Sequence, residues 1–535
     1  MGRRQNGRRI VPRPDPRSRA GKNICRLPRR CARRRRAGAA HRRRHPRTRR
    51  PARRALATDA GRAGIVTGVM HMTDLHWLSA ANIAAAYGAR KLSPVELTQA
   101  LLARIEKLQP KLHAFIRLDP EGALAAARAA EAEIMAGRMR GPLHGVPVGL
   151  KDIIDVANLP STAHSRVLIN NIASADAVVT GKLRGAGAII LGKLATHEFA
   201  IGGPSHDLPW PAARNPWNPD HHPGGSSSGS GSGLASGQFP LALGTDTGGS
   251  VRNPASACGI VGLKPTYGLV SRRGVFPLSF TLDHIGPMTR TVADNAALLD
   301  VIAGHDPADP GSTASKAQKF GRELGRGARG LRIGFIRHFH ETDMPAHPEV
   351  AAALEIAERV LEAEGAIVRT VQLPSLGEFS AVNRVILTSE AWAIHAKWLR
   401  EQPQNYGELS RQRLMPGAFI PAGDYINAQR RRLSMIAAVN DTLRDHDILI
   451  CASSMDPASN IHDAAETART YPRQARTPFN VTGHPALAMC AGFSSTGLPL
   501  SVQFVGRYFD DAKVLRVAEA YEQATDWHKR RAPIG

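Results

Sequence analysis

The apolar positions of this chain recur with a helical period early and with alternating helical and strand-like segments later. In "LSPVELTQALLARIEKL", residues 92–108, Val95, Leu101, Leu102, Ile105 and Leu108 fall at roughly helical spacing. Ser93 stands where an N-cap belongs, Pro94 at the first helical position and Glu96 three residues after the cap, which predicts a helix opened by a capping box. An Ala-rich helix is predicted over 121–137, and "LHGVPVGLKDIIDV" reads as a short strand entering a buried turn. "DAVVTGKLRGAG" predicts a helix ending at Gly, and "AIILGKL" is an apolar run suited to a buried strand. Further strands are expected at "FPLALGTDT", "GIVGLKPT", "LRIGFI", "AIVRTVQL", "DILICA", "PALAMCAGF" and "LSVQFVG". Further helices are expected at "VADNAALLDVIAG", closed by Gly304, at 348–365, through most of 379–447, and at 511–525. The alternation predicts an α/β protein: a single large domain over 72–535, with a mixed, mostly buried central sheet covered by helices. The polar, Gly-rich stretch 305–330 reads as a long surface loop inside that domain, and no internal repeat is visible.

Composition changes this picture only at the N-terminus. The chain has 535 residues, 42% of them hydrophobic, enough for a sizeable core, and no run approaches the roughly 18 apolar residues of a membrane span. The formal charge of +26 suggests a nucleic-acid binder until its distribution is read. Residues 1–70 hold 24 Lys+Arg against Asp15 and Asp59, whereas residues 71–535 hold 47 against 43 acidic residues. The body is therefore nearly neutral, and no nucleic acid or membrane partner is expected for it. Residues 1–69 are too poor in apolar side chains to offset ordering entropy and read as a disordered Arg-rich extension. The favoured reading starts translation at Met70 or Met72; the rivals are a basic arm for nucleic acid or anionic lipid, and a targeting peptide. The five cysteines form no CxxC pair, which fits a reducing cytoplasm, and Cys258 reads as a small buried apolar residue.

The candidate chemistry gathers around "PGGSSSGSGSGL", whose ten central residues are five Gly and five Ser. On composition this is a flexible linker. A linker separates two cores through polar chain, yet this run follows "ARNPWNPDHHP" and turns apolar at once in "LASGQFPLALG". A phosphate loop is disfavoured as well: there is no complete GxGxxG, no Walker lysine and no preceding strand. Catalysis by serine remains, and it needs a base. No hydrolase elbow follows a strand here, but Lys151, set among Gly, Val, Pro, Leu and Ile, suits a lysine whose amine is neutral through desolvation. The competing reading is an ordinary lysine at a strand end with its amine in water.

The stretch "GGSSSGSGSGLASGQFPLALGTDTGGSVRNPASACGIVGLKPTYGLVSRRGV", from Gly224 to Val275, resembles the signature of the amidase signature enzymes. The resemblance extends over about 73–530 through "GVPVGLKD", "GKLATHEFAIGG", "RNPWNP", "LDHIGPMTRTVAD" and "TPFNVTGHPALAMCAGFSSTGLPLSVQFVGR". It implies a Ser–cis-Ser–Lys amidase with Ser250 as nucleophile, Ser226 as bridging serine after a cis Gly225–Ser226 bond, and Lys151 as base. It implies an oxyanion hole from the backbone N–H groups of Thr247, Gly248, Gly249 and Ser250, with Ser227, Asp246 and Arg252 holding the loop. Ser228 departs from the pattern, which has Gly there; Ser is tolerated unless that position requires a positive φ. The implied substrate is a small-molecule amide, cleaved to carboxylate plus ammonia or amine through an acyl-enzyme, with no cofactor and no metal; a homodimer stays open. "THEFA" is not HExxH, and His221–His222 lack further ligands at suitable spacing. The alternative is the glutamine-hydrolysing A subunit of a tRNA-dependent amidotransferase. There an Asp-Glu-Phe-Ala-Met-Gly-Ser-like stretch is expected, where this chain has "THEFAIGG", and the stand-alone hydrolase is favoured. Acyl-side specificity is expected in 379–447, 205–220 and 470–485, with Trp392, Tyr425, Tyr471 and Phe479 making a partly apolar pocket.

Overall fold

The computed structural model describes residues 75–316 and 318–534; the Arg-rich extension 1–69 lies outside the described residues. Among the described residues eleven strands form one mixed sheet in the order β1-β3-β2-β4-β6-β5-β10-β11-β9-β7-β8. Their ranges are β1 Phe115–Leu118, β2 Pro147–Lys151, β3 Ile189–Leu194, β4 Leu241–Asp246, β5 Val261–Lys264 and β6 His284–Thr289, then β7 Arg332–Phe335, β8 Ile367–Thr370, β9 Ile448–Ala452, β10 Ala486–Phe493 and β11 Pro499–Val505. Helices cover the sheet, and those that shape the site are α1 Pro94–Leu112, α2 Ser228–Ala235, α3 Arg252–Cys258, α4 Leu376–Glu401, α5 Ala422–Asp445 and α6 Thr477–Val481.

The N-terminal signal of α1 works as its residues require. Ser93 Oγ accepts from the N–H groups of Val95 and Glu96 at 3.0 and 3.2 Å, and Leu97, Leu101, Ile105 and Leu108 are buried along one face. The central strands β2, β3, β4 and β6 are buried at every position; in β2, β3 and β4 this matches near-continuous apolar runs and explains why no polar alternation marks them. Two strands carried no legible pattern. β1 is four residues long, and β6 reads "HIGPMT", with a Gly and a Pro in mid-strand that sequence rules count against a strand.

The topology already brings the candidate chemistry together. β2 runs parallel to β4, with Val148 opposite Leu241 and Leu150 opposite Leu243. Their C-terminal ends, Lys151 and Thr245–Asp246, therefore emerge side by side at the same edge of the sheet. Open α/β sheets place their sites at that edge.

Candidate active site

The Gly/Ser run is neither a tether nor a loop: Ser228–Ala235 is the buried helix α2. Alternating glycines let it lie against the chain on several sides. A Cβ on Gly229 would sit 2.2 Å from the Ala114 carbonyl oxygen and 2.6 Å from the Ala195 nitrogen, and one on Gly233 would enter the Phe239 ring at 2.1 Å. The serines satisfy buried carbonyls in between: Ser228 Oγ donates to Ala195 O, Ser230 Oγ to Leu243 O and Ser232 Oγ to Arg214 O, at 3.3, 3.3 and 2.7 Å. Ser228 has helical backbone and no positive φ, so a serine where the family pattern has glycine is unstrained there. Gly229→Ala would raise helix propensity in isolation. Here it is expected to cost about 1–3 kcal/mol through overpacking against backbone atoms that cannot move aside. Urea unfolding would read this as a lowered midpoint, and an unchanged or raised midpoint would refute the packing argument.

Just before α2, the Gly225–Ser226 peptide is cis. His197 holds this corner: its N–H donates to Ser226 O at 3.0 Å, its Nδ1 accepts from Gly203 N–H at 2.8 Å, and its ring fills the space a Gly225 side chain would need. Ser226 is fully buried, and its Oγ lies 2.7 Å from Lys151 Nζ. The same Nζ lies 2.8 Å from Thr245 Oγ1. Lys151 is 0% exposed, and among the described residues it has no ion-pair partner. Burial pushes its pKa from 10.5 down to about 7, against a partial upward pull from the charges of Asp246 and Asp283. A substantial fraction of the amine is thus neutral near neutral pH, with a lone pair free to accept a proton.

Ser250 follows β4 in the "GTDTGGS" turn and is half-buried at the floor of a cavity. Its carbonyl accepts from Ser227 N–H at 3.2 Å, which pins it beside the cis corner. Among the described residues no hydrogen bond joins Ser250 Oγ to Ser226 Oγ. Lys151 and Ser226 are in direct contact, and Ser250 is adjacent to them through the backbone. Ser227 ties the corner to β4 reciprocally: its Oγ accepts from Thr245 N–H at 3.2 Å and donates to Thr245 O at 3.3 Å.

Asp246 and Arg252 form a fully buried pair at 2.9 Å that organises the turn between them. Asp246 Oδ1 accepts from Gly249 N–H at 2.7 Å, and its Oδ2 from Val251 and Arg252 N–H at 3.1 and 3.4 Å. Burial alone would raise the Asp246 pKa; the Arg252 charge and the hydrogen bonds from Arg252 and Asn480 overcome it and hold the carboxyl well below the usual carboxylate range. Arg252 then reaches across the fold to Asn480 Oδ1, Gln503 Oε1 and the Arg476 carbonyl, at 2.6, 2.6 and 2.8 Å. Of the four backbone N–H groups expected to face an oxyanion, that of Gly249 donates to Asp246, while those of Thr247, Gly248 and Ser250 have no such partner among the described residues.

The amidase family model matches residues 96–515. This chain belongs to the amidase signature family. It is similar to the A subunit of glutamyl-tRNA(Gln) amidotransferase from Chloroflexus aggregans (strain MD-66 / DSM 9485), 39% identical over 488 residues that cover 86% of this chain and 99% of that protein. Among solved structures it resembles the native peptide amidase from Stenotrophomonas maltophilia, with a TM-score of 0.75, 33% identity, and coverage of 85% of this chain and 98% of that one. A bacterial aryl acylamidase of the amidase signature family has a TM-score of 0.78 at 26% identity, with the same coverage. Like the family, this chain is an enzyme that hydrolyses amide C–N bonds.

For an amidase signature enzyme, the space beside the reacting groups decides which amide enters. The cavity over Ser250 has a volume of about 750 Å³. The 379–447 region contributes one face of α4, Ser380, Asn383, Arg384, Leu387 and Thr388, at helical spacing. The 470–485 region contributes Tyr471, Gln474 and Arg476. The 205–220 loop lines none of it, and of the four expected aromatics only Tyr471 does. Tyr425 Oη instead donates to Glu390 at 2.8 Å, Phe479 is buried in the core, and Trp392 packs against Gly417. Tyr471 thus stands where expected, the other three aromatics lie elsewhere, and Leu278, Val385, Leu387 and Ile420 make the wall partly apolar. Sequence reasoning also passed over Thr245, His197, Asn480 and Asp283, which accepts from Thr247 Oγ1 at 2.6 Å, although each lies inside a quoted motif. Among the described residues no group of three or more His, Cys, Asp or Glu is placed to hold a metal ion, and no helix is long and apolar enough to cross a membrane.

Proposed function

We propose that this chain is a stand-alone amidase in which Ser250 is the nucleophile, Ser226 the proton bridge and Lys151 the base. The observation that carries the reading is the buried, largely desolvated Lys151 amine 2.7 Å from the Ser226 hydroxyl. The neutral amine takes the Ser226 proton as Ser226 takes that of Ser250, which requires the Ser250 hydroxyl to turn toward Ser226; catalytic hydrogen bonds commonly tighten only when substrate binds. Ser250 Oγ attacks the amide carbon, and the carbonyl electron pair moves to oxygen. The N–H groups of Thr247, Gly248 and Ser250 receive that charge, held in place by the Asp246–Arg252 pair and by Ser227. The proton returns through Ser226 to the amide nitrogen, the C–N bond breaks, and ammonia or an amine leaves. Water, activated by the same relay, then cleaves the Ser250 ester to release the carboxylate.

A second reading has an observation of its own. The curated relatives at 38–40% identity are named as A subunits of an amidotransferase, and the chain spans 99% of their length. In that reading the same chemistry serves glutamine within a larger assembly. The purified chain, assayed by itself on small carboxamides and on glutamine with ammonia detection, separates the two. Turnover of carboxamides without a partner is expected, and glutamine turnover that appears only with partner subunits would replace the first reading by the second.

A further inference from the structure

We propose that the cavity over Ser250 selects amides bearing a second, anionic group and no ammonium, with Arg413 and Arg476 receiving the anion. This rests on the amidase reading of the site and extends it to the substrate class. The cavity is lined by three arginines, Arg384, Arg413 and Arg476, and by no Asp or Glu. Arginines in protein interiors are ordinarily paired. Arg252, equally buried, shows the ordinary case in its ion pair with Asp246.

Arg476 differs. It is 3% exposed, and its Nη1 donates to Ser453 O and Ser454 Oγ at 2.9 and 2.6 Å, both neutral acceptors. Its Nε is buried without a partner and points at the catalytic turn, 2.6 Å from where a Gly249 side chain would begin. Burial and the neighbouring Arg252 charge lower its pKa to about 9, against a partial upward pull from Tyr471 and Asp246, neither of which it pairs with directly. Arg413 projects over Gly202–Gly203, its Nη1 3.0 Å from the position of a Gly203 Cβ, and among the described residues it makes no hydrogen bond or ion pair. Arg384 is exposed and likewise unpaired among the described residues.

A carboxylate meets this arrangement well, because guanidinium and carboxylate form charge-assisted hydrogen bonds of matched geometry. An α-ammonium meets it badly, since the lining offers two inward guanidiniums and no carboxylate to offset the repulsion. Leu278, Val385, Leu387 and Ile420 complete the wall and suit an aliphatic spacer between amide and anion. The class that fits is a carboxylate-bearing amide such as the monoamide of a dicarboxylic acid; glutamine, which adds the ammonium, fits worse.

The test is calorimetric titration of full-length Ser250→Ala protein with glutaramate, glutamine and pentanamide. These three share an amide on a short aliphatic chain and differ in their charged groups. Glutaramate is expected to bind at least about tenfold more tightly than either of the others, the scale of one charge-assisted pair. Adding Arg413→Gln should reduce that preference to below about threefold, and Arg413→Lys should recover part of it. Pentanamide or glutamine binding as tightly as glutaramate would overturn the proposal, as would a preference that survives Arg413→Gln. Turnover by the unsubstituted chain, followed in parallel, keeps the two readings apart. Glutaramate bound preferentially but never hydrolysed would sink the amidase mechanism and leave the anion site standing. Pentanamide hydrolysed as readily as glutaramate would do the reverse.

Discussion

Ser250→Ala is expected to lower kcat/KM for amide hydrolysis by about a thousandfold or more, with nearly all the loss in kcat. The reason is local. Ser226 and Ser227 are fully buried and held by Lys151 and Thr245, so neither can replace the lost hydroxyl at the cavity floor. The proposed oxyanion donors are backbone N–H groups and survive the substitution, as does the cavity wall, so substrate binding is expected to be retained. Steady-state kinetics on a carboxamide turned over by the unsubstituted chain would check this. Activity within tenfold of the unsubstituted chain would remove Ser250 from the nucleophile's role.

Lys151→Met is expected to cost at least about a thousandfold as well, because among the described residues no other side-chain base is hydrogen-bonded to Ser226 or Ser250. Two pH signatures set this loss apart from misfolding. In the unsubstituted chain kcat/KM should climb with pH through a midpoint near the Lys151 value of about 7, since only the neutral amine accepts the Ser226 proton. A flat profile between pH 5.5 and 8.5, a span of about three units around that value, would contradict the assignment. Stability moves in a definite direction too. The folded pKa lies below the ordinary 10.5, so the unfolded chain binds more protons at Lys151 between about 7 and 10.5. The charge therefore opposes folding fully below about 7, progressively less up to 10.5, and not at all above. Relative to the unsubstituted chain, Lys151→Met should gain stability as pH falls across that window and hold a constant difference below it. Denaturant titrations at several pH values would show whether it does.

Much of the fold was legible because burial leaves plain marks on a sequence. The Ser93–Pro94–Glu96 start of α1 and the apolar runs of β2, β3, β4 and β10 came out where the patterns put them, with ends within a few residues. β6 did not, because Gly286 and Pro287 break the local signal. What admits that strand is a close neighbour: a Cβ on Gly286 would sit 2.1 Å from the Leu263 carbonyl. The Gly/Ser run misled for the opposite reason. Its composition predicts looseness, yet as α2 it is buried at every position, because small residues are what let a helix approach Ala114, Ala195 and Phe239 so closely. Local propensity yields to tertiary packing in both places.

The α/β alternation, the near-neutral body behind a basic N-terminal stretch, and the motifs that hold Lys151, Ser226 and Ser250 could all be read along the chain. These depend on residue type and order, which the chain carries openly. The fold in three dimensions set the rest: the Lys151 amine is desolvated and in contact with Ser226, the Gly249 N–H donates to Asp246, and Arg413 and Arg476 line the cavity over Ser250 beside Tyr471. Those features arise where β2, β4, α4 and the 470–485 segment meet, from residues far apart in the chain. The pKa of a lysine or the pairing of an arginine is set by what surrounds it in space.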